Sequence, residues 1–229
     1  MHTLFEDNHL IAINKPAGVA SQGAAAGQPS AIDDTKAYLK QKYNKPGDVF
    51  LGVVHRLDKP VTGVLLYART SKAAARLSAQ FADKSTIKIY HALVTNAPVH
   101  AEATLTHYLK KNEQTKRVDA RDTPAAGFQN AVLHYRILQL TKHATLLEVV
   151  LETGRLHQIR AQLSAIGCPI LNDLDYSPRF AKPQAPSPKP FPNNAIGLHA
   201  HSLTILHPIS KEQLTITAPK PKAWQAILS

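Results

Sequence analysis

His55-Arg56-Leu57-Asp58-Lys59-Pro60-Val61-Thr62-Gly63 runs directly into Val64-Leu65-Leu66-Tyr67-Ala68. The second half is a short apolar run opened by a glycine, the pattern of a buried strand. The first half sets one carboxylate, Asp58, between Arg56 and Lys59 on the lip of that strand. Opposite charges within a few ångströms favour the ionised form of an acid. An ionised carboxylate in a cation-rich, phosphate-attracting turn repels a polyanion, so its placement there points to chemical work.

The chain has 229 residues, enough to bury a substantial core as one large domain or two small ones, and a single domain over 1–229 is expected. Hydrophobic residues make up 44% of it, which excludes a disordered chain. No apolar stretch approaches the ~20 residues of a membrane span, and no basic segment leads into an apolar one at the N-terminus. The single cysteine, Cys168, excludes an internal disulfide and a cysteine-based zinc site, and a reducing cytoplasm is the expected location. The formal net charge of +11 raises the local concentration of polyanions and favours nucleic acid as partner.

Outward from the Asp58 turn, a strand is expected at Leu10–Ile13, followed by the turn Asn14-Lys15-Pro16-Ala17-Gly18. The Gly/Ala/Ser/Gln stretch from Ser21 to Pro29 reads as a flexible loop. Ser30 caps a helix through about Lys42, and Ser71 caps another to about Asp83. Strand patterns follow at Ile87–Thr95, Ala131–Leu140 and Ala144–Leu151, with a short hairpin turn between the last two. A helix is expected over about His157–Ile166, closed by Gly167. Residues 177–192 carry six prolines and read as a long loop. Strands at Gly197–Leu206 and Gln213–Thr217 close the chain. Strands outnumber helices and several are joined by short turns, so the expected class is α+β with a largely antiparallel sheet.

Three further segments carry candidate chemistry. In Lys88-Ile89-Tyr90, Lys88 and Tyr90 share one face of a strand, where the ring can stack on a base. Thr153-Gly154-Arg155-Leu156-His157-Gln158-Ile159-Arg160 spans a strand-to-helix junction; Arg155 there can offer a two-pronged fork to a carboxylate, and Arg160 lies about one turn on. Leu198-His199-Ala200-His201, with His207, has the look of a strand edge. Its histidines have no acidic or cysteine partner at ligand spacing, which argues against a metal.

Taken together and in order, these motifs resemble those of RNA pseudouridine synthases of the RluA type: His-Arg-Leu-Asp, the Lys-x-Tyr strand, the Gly-Arg-x-His-Gln-Ile-Arg turn and the late Leu-His-Ala strand. The opening Asn14–Gly18 turn is similar too. The resemblance runs from about residue 4 to residue 217. The resemblance begins at the first catalytic-domain strand, so the expectation is a catalytic domain without the S4-type RNA-binding domain many members carry. The sequence departs from the family pattern in having Val61-Thr62-Gly63 in place of Thr-Ser-Gly, and Asn172-Asp173 where Gly-Asp is usual.

The resemblance implies isomerisation of uridine to pseudouridine in a structured ribosomal or transfer RNA, by a monomer that binds neither DNA nor membranes. It implies Asp58 as catalytic carboxylate, Arg155 paired with it and Tyr90 on the uracil. Arg56 would fill the stack left by the flipped base, with His55, Lys59, Lys88, His157, Arg160 and Lys15 lining the substrate side. Lys15, Lys59, Lys88 and Arg160 are expected on a basic face. No cofactor is implied, and neither dinucleotide nor Walker-type glycine motifs occur. The competing readings are an N-glycoside hydrolase, which generally needs two carboxylates, and a non-catalytic RNA-binding module, which leaves the Asp among cations unexplained.

Overall fold

The computed structural model describes residues 2–23, 28–177 and 191–229. In chain order the elements are β1 (Thr3–Glu6), β2 (Leu10–Lys15), α1 (Ala31–Lys42), β3 (Gly52–Val53), β4 (Thr62–Ala68), α2 (Ser71–Ala82), β5 (Ile87–Val94), β6 (Glu102–Lys111), β7 (Val118–Arg121), β8 (Gln129–Leu140), β9 (Thr145–Leu151), α3 (Gln158–Ala165), β10 (Leu198–Leu206), β11 (Gln213–Thr217) and α4 (Gln225–Leu228). The class is α+β, as expected. The chain divides into two compact units, one of residues 1–88 and 200–220, the other of residues 89–199 and 221–229.

In the first unit β1, β2, β4 and β10 are successive neighbours, with β11 on β10 and β3 on β4. β2 pairs antiparallel with β4, from Leu10 opposite Ala68 to Lys15 opposite Gly63. This register brings the Lys15 end of one strand beside the start of the other, next to the Asp58 turn. α2 covers the sheet: Ala73 and Leu77 pack with Leu10, Ala12, Val64, Leu66, Leu203, Ile205 and Ile216 in one buried cluster. Each large aliphatic side chain buried in this way contributes on the order of 1.5–3 kcal/mol. Both helix starts are sequence-encoded. The Asp33 carboxylate accepts from the Ser30 N–H and hydroxyl, at 3.0 and 2.6 Å. At α2 the cap is Thr70, whose Oγ1 accepts from Ala73 N–H at 3.2 Å, one residue ahead of the expected Ser71.

In the second unit the strand order is β5-β9-β8-β6-β7, and each adjacent pair is antiparallel. β6 and β7 are additions to the sequence reading. Along β6 buried His107 and Leu109 alternate with the more exposed Thr106, Tyr108 and Lys110. The outward half is too polar to stand out as an apolar run, although its period of two is that of a half-buried strand. α3 lies against β6 and β7 through a cluster of Leu109, Val118, Ala131, Ala161 and Tyr176. Of the loops expected from composition, residues 24–27 and 178–190 lie outside the described residues.

Gly63 is a point of close backbone approach in the first unit. Its φ is +113°, and a Cβ there would sit 2.2 Å from the Ala200 carbonyl oxygen on β10. Gly63→Ala is expected to lower the unfolding free energy by more than the ~1–2 kcal/mol of the left-handed backbone alone, because β10 must also move. Urea unfolding of the variant against the wild-type chain measures this.

Candidate active site

Asp58 sits in the turn that leads into β4, closed by a Val61 N–H to Asp58 carbonyl hydrogen bond of 3.0 Å. Three side chains fix this turn from beneath. Lys15, wholly buried, donates from Nζ to the carbonyls of Pro16 and Val19, both at 2.8 Å, and to that of Lys59 at 3.2 Å. Burial pushes its ammonium down to about 8, against the pull of the Asp58 charge. The second is buried Ser21, whose hydroxyl donates to the Leu57 carbonyl at 2.7 Å and accepts from the Leu57 N–H at 3.0 Å. The third is Tyr67 of β4, also wholly buried, whose hydroxyl donates to the Ser21 carbonyl at 2.7 Å. Ser21 therefore holds the peptide before Asp58 and Lys15 the peptide after Lys59, while the Asp58 carbonyl itself is closed by Val61 N–H.

His55 takes over where β3 ends. Backbone pairing of β3 to β4 stops at Val53 opposite Tyr67, and the next N–H of β4, that of Leu66, donates to His55 Nε2 at 2.9 Å. The ring stacks on Phe81 of α2 with centroids 5.1 Å apart. Desolvation, with Lys88 adding repulsion, pushes the imidazole down to about 4, so the ring is neutral and Nε2 stays an acceptor. Burial lowers Lys88 as well, helped by Lys84. Arg56 and Lys59 are exposed.

In the second unit, Tyr90 lies on β5 opposite Val149 of β9 and is half-buried. Arg155 lies in an exposed turn three residues ahead of α3, not within the helix, and its Nε donates to the Asn130 carbonyl at 3.1 Å. The turn is braced by Gln158, whose Oε1 accepts from Thr153 Oγ1 at 2.8 Å and from Arg155 N–H at 2.9 Å. Its Nε2 donates to the Val132 carbonyl at 3.1 Å. His157 caps α3 with φ +49° and shares a 2.9 Å hydrogen bond with the Tyr176 hydroxyl.

Two residues expected on a basic face are not there. Arg160 is buried, forked onto Asp173 at 2.7 and 2.8 Å and reaching Asp175 at 2.9 Å. Lys15 is buried among carbonyls as described above. Neither side chain is accessible to a phosphate, because each is desolvated and already bonded inside the protein. Spacing within a motif gave no sign of this, since a buried ion pair and a surface cation look alike in sequence. Asn172 has φ +65°, the left-handed conformation that Gly and Asn accept most readily, which explains how Asn replaces Gly before Asp173. The histidines of the last motif go separate ways. His199 packs edge-on to Trp224, His201 Nδ1 meets the Ala218 carbonyl, and His207 Nε2 meets Asp7. Among the described residues no group of three His, Cys, Asp or Glu side chains is arranged to hold a metal. Sequence reasoning missed Ser21, Tyr67 and Gln158; only the apolar run around Tyr67 hinted that its hydroxyl, buried in a strand, needed a partner.

A family model described as RNA pseudouridylate synthase matches residues 9–165. The ribosomal large subunit pseudouridine synthase D of Zymomonas mobilis is 35% identical over 233 residues, covering 99% of this chain and 71% of the relative. The ribosomal large subunit pseudouridine synthase C of Rickettsia prowazekii is 32% identical, covering 96% and 68%. In fold the chain is similar to human RNA pseudouridylate synthase domain containing 4, with a TM-score of 0.78 at 24% identity, covering 98% of this chain and 92% of that one. The chain belongs to the RNA pseudouridine synthase family, as its RluA-type motifs implied. Its activity is that of an isomerase acting on RNA.

Two predictions follow from the geometry of the first unit. Ser21→Ala removes the one group that satisfies both the N–H and the carbonyl of Leu57, so chemical unfolding should show a loss of about 1–3 kcal/mol. His55 binds protons more weakly folded than unfolded. Its contribution to stability is present above about 6.5 and is lost as pH falls towards about 4. His55→Gln should flatten this acid limb in a series of denaturation curves, and an unchanged limb would assign it to other groups.

Proposed function

We propose that the protein converts uridine to pseudouridine in large-subunit ribosomal RNA, with Asp58 as the catalytic carboxylate. The observation that carries the catalytic assignment is the immobilised turn: Ser21 holds Leu57, Val61 N–H closes on the Asp58 carbonyl and Lys15 holds the Lys59 carbonyl, with Arg56 and Lys59 flanking Asp58 at the surface. Preorganised charge at a fixed position is what a carboxylate acting on a nucleoside requires. The choice of ribosomal over transfer RNA is supported by relatives named ribosomal large subunit pseudouridine synthases C and D.

The reaction breaks the N1–C1′ bond of uridine, turns the base and joins C5 to C1′. The proton leaves C5 and one is gained at N1, so atoms balance with no redox change. Asp58 acts as nucleophile or base at the sugar or the ring. Tyr90 stacks on the uracil, and its hydroxyl is available for the C5 proton. Arg155 supplies the guanidinium that the family resemblance pairs with Asp58. Extruding the target base costs a few kcal/mol, least in a loop, and the exposed guanidinium of Arg56 takes its place in the stack. Lys59 and Lys88 meet phosphates. His55 and His157 act through the backbone and Tyr176 rather than on RNA.

Asp58→Asn keeps the shape and removes the charge. It should lower turnover by at least about 100-fold, with RNA affinity within a few-fold. Tyr90→Phe should retain binding and slow turnover, and Tyr90→Ala should impair both. All three variants are read by pseudouridine mapping and filter binding on an unmodified large-subunit RNA transcript. Free uracil as product would overturn the reading in favour of hydrolysis. Full activity of Asp58→Asn would end the assignment of the carboxylate.

A further inference from the structure

The outer face of the β6–β7 hairpin in the second unit carries a cluster that the catalytic motifs do not use. Tyr108 of β6 stands opposite Arg121 of β7 on one side and Asn130 of β8 on the other. Lys110, two residues along β6, shares that face, while His107 and Leu109 turn to the buried side. Phe128 sits at the turn into β8, closed by its N–H to the Ala125 carbonyl at 3.0 Å. Arg121 Cζ lies 5.2 Å from the centre of the Phe128 ring and Lys110 Nζ lies 5.7 Å from it. Gly127, at φ +78°, makes room: a Cβ there would be 3.2 Å from Lys110 Nζ.

Two cations on one half-exposed ring repel each other, and an exposed cation–π contact offsets little of that. The nearby carboxylates make their bonds to other side chains. Glu113 holds Lys111 and Lys116 at 2.9 and 3.3 Å. Asp119 accepts from Asn112 at 3.1 Å, and Asp122 faces His107 at 3.5 Å. Among the described residues Lys110 and Arg121 make no ion pair. The cluster therefore gathers two cations on one aromatic face; Asp119, opposite Lys110 in the strand pair, is a neighbouring carboxylate, yet it bonds Asn112 and forms no ion pair with either cation. Within the second unit the cluster adjoins the Arg155 turn, because Arg155 Nε bonds the carbonyl of Asn130, the residue opposite Tyr108.

From this geometry we infer that the face formed by Tyr108, Lys110, Arg121 and Phe128 is a second RNA-contact surface. It takes a single-stranded segment flanking the target uridine: an unpaired base stacks on Phe128, and Lys110 and Arg121 neutralise the adjoining phosphates. The inference rests on the ribosomal RNA reading above.

The test is salt-dependent binding of an unmodified large-subunit RNA transcript. Phe128→Ala should weaken binding at least about fivefold, as loss of a base–aromatic stack does. Phe128→Tyr, which keeps the ring, should bind within about twofold of wild type. Lys110→Gln/Arg121→Gln should flatten the slope of log affinity against log salt by about 1.4, two single-strand phosphates' worth. Wild-type-like affinity in Phe128→Ala overturns the inference. So does Phe128→Tyr binding as poorly as Phe128→Ala, since the loss would then come from the fold and not the stack. An unchanged slope in the double variant has the same consequence. Failure of the underlying reading looks different: the wild-type protein would bind the transcript and leave its uridines unconverted.

Discussion

One buried ammonium ties the first unit together at the place where chemistry is expected. Lys15 ends β2, and its Nζ collects carbonyls from its own turn and from Lys59, on the far side of the Asp58 turn. A charge taken out of water is tolerated only if its hydrogen-bond capacity is filled and an opposite charge is near. The carbonyls do the first and Asp58 does the second. The antiparallel register of β2 on β4 is what brings the two turns together. The dependence is mutual: the strand pairing places Lys15, and Lys15 fixes the backbone beyond the strands.

The second unit solves a comparable problem differently. The Arg155 turn is held by a neutral side chain. The side-chain amide of Gln158 ties together the Arg155 N–H, the Thr153 hydroxyl and the Val132 carbonyl. Below, the Arg160–Asp173 pair fixes α3 to the segment that ends in Tyr176. A two-pronged, desolvated pair of this kind is sensitive to loss of either partner and less so to salt.

The sequence was most legible where local chemistry decides structure. The Ser30 cap, the apolar run of β4, the late strands and the order of the motifs could all be read directly, and they led to the class and the family. Less legible was what long-range packing decides. Lys15 and Arg160 carry the same charge as Lys59, and only the register of β2 on β4 and the packing of α3 hide them. Ser21 looked like part of a featureless loop because its partners, Leu57 and Tyr67, are remote in sequence. The strands β6 and β7 escaped notice because their exposed halves are Thr, Tyr, Lys and Arg, so the buried alternation was diluted.

The position of Lys15 also makes it a built-in reporter. An amine that loses its proton near neutrality is a strong nucleophile wherever a reagent can reach it, and here none can while the turn is closed. Acylation at this one side chain therefore waits on local opening of the backbone around Asp58. Its rate, set against that of the exposed lysines, counts those openings in the way that slow amide exchange does. The residue that holds the turn shut would thus record how often it opens.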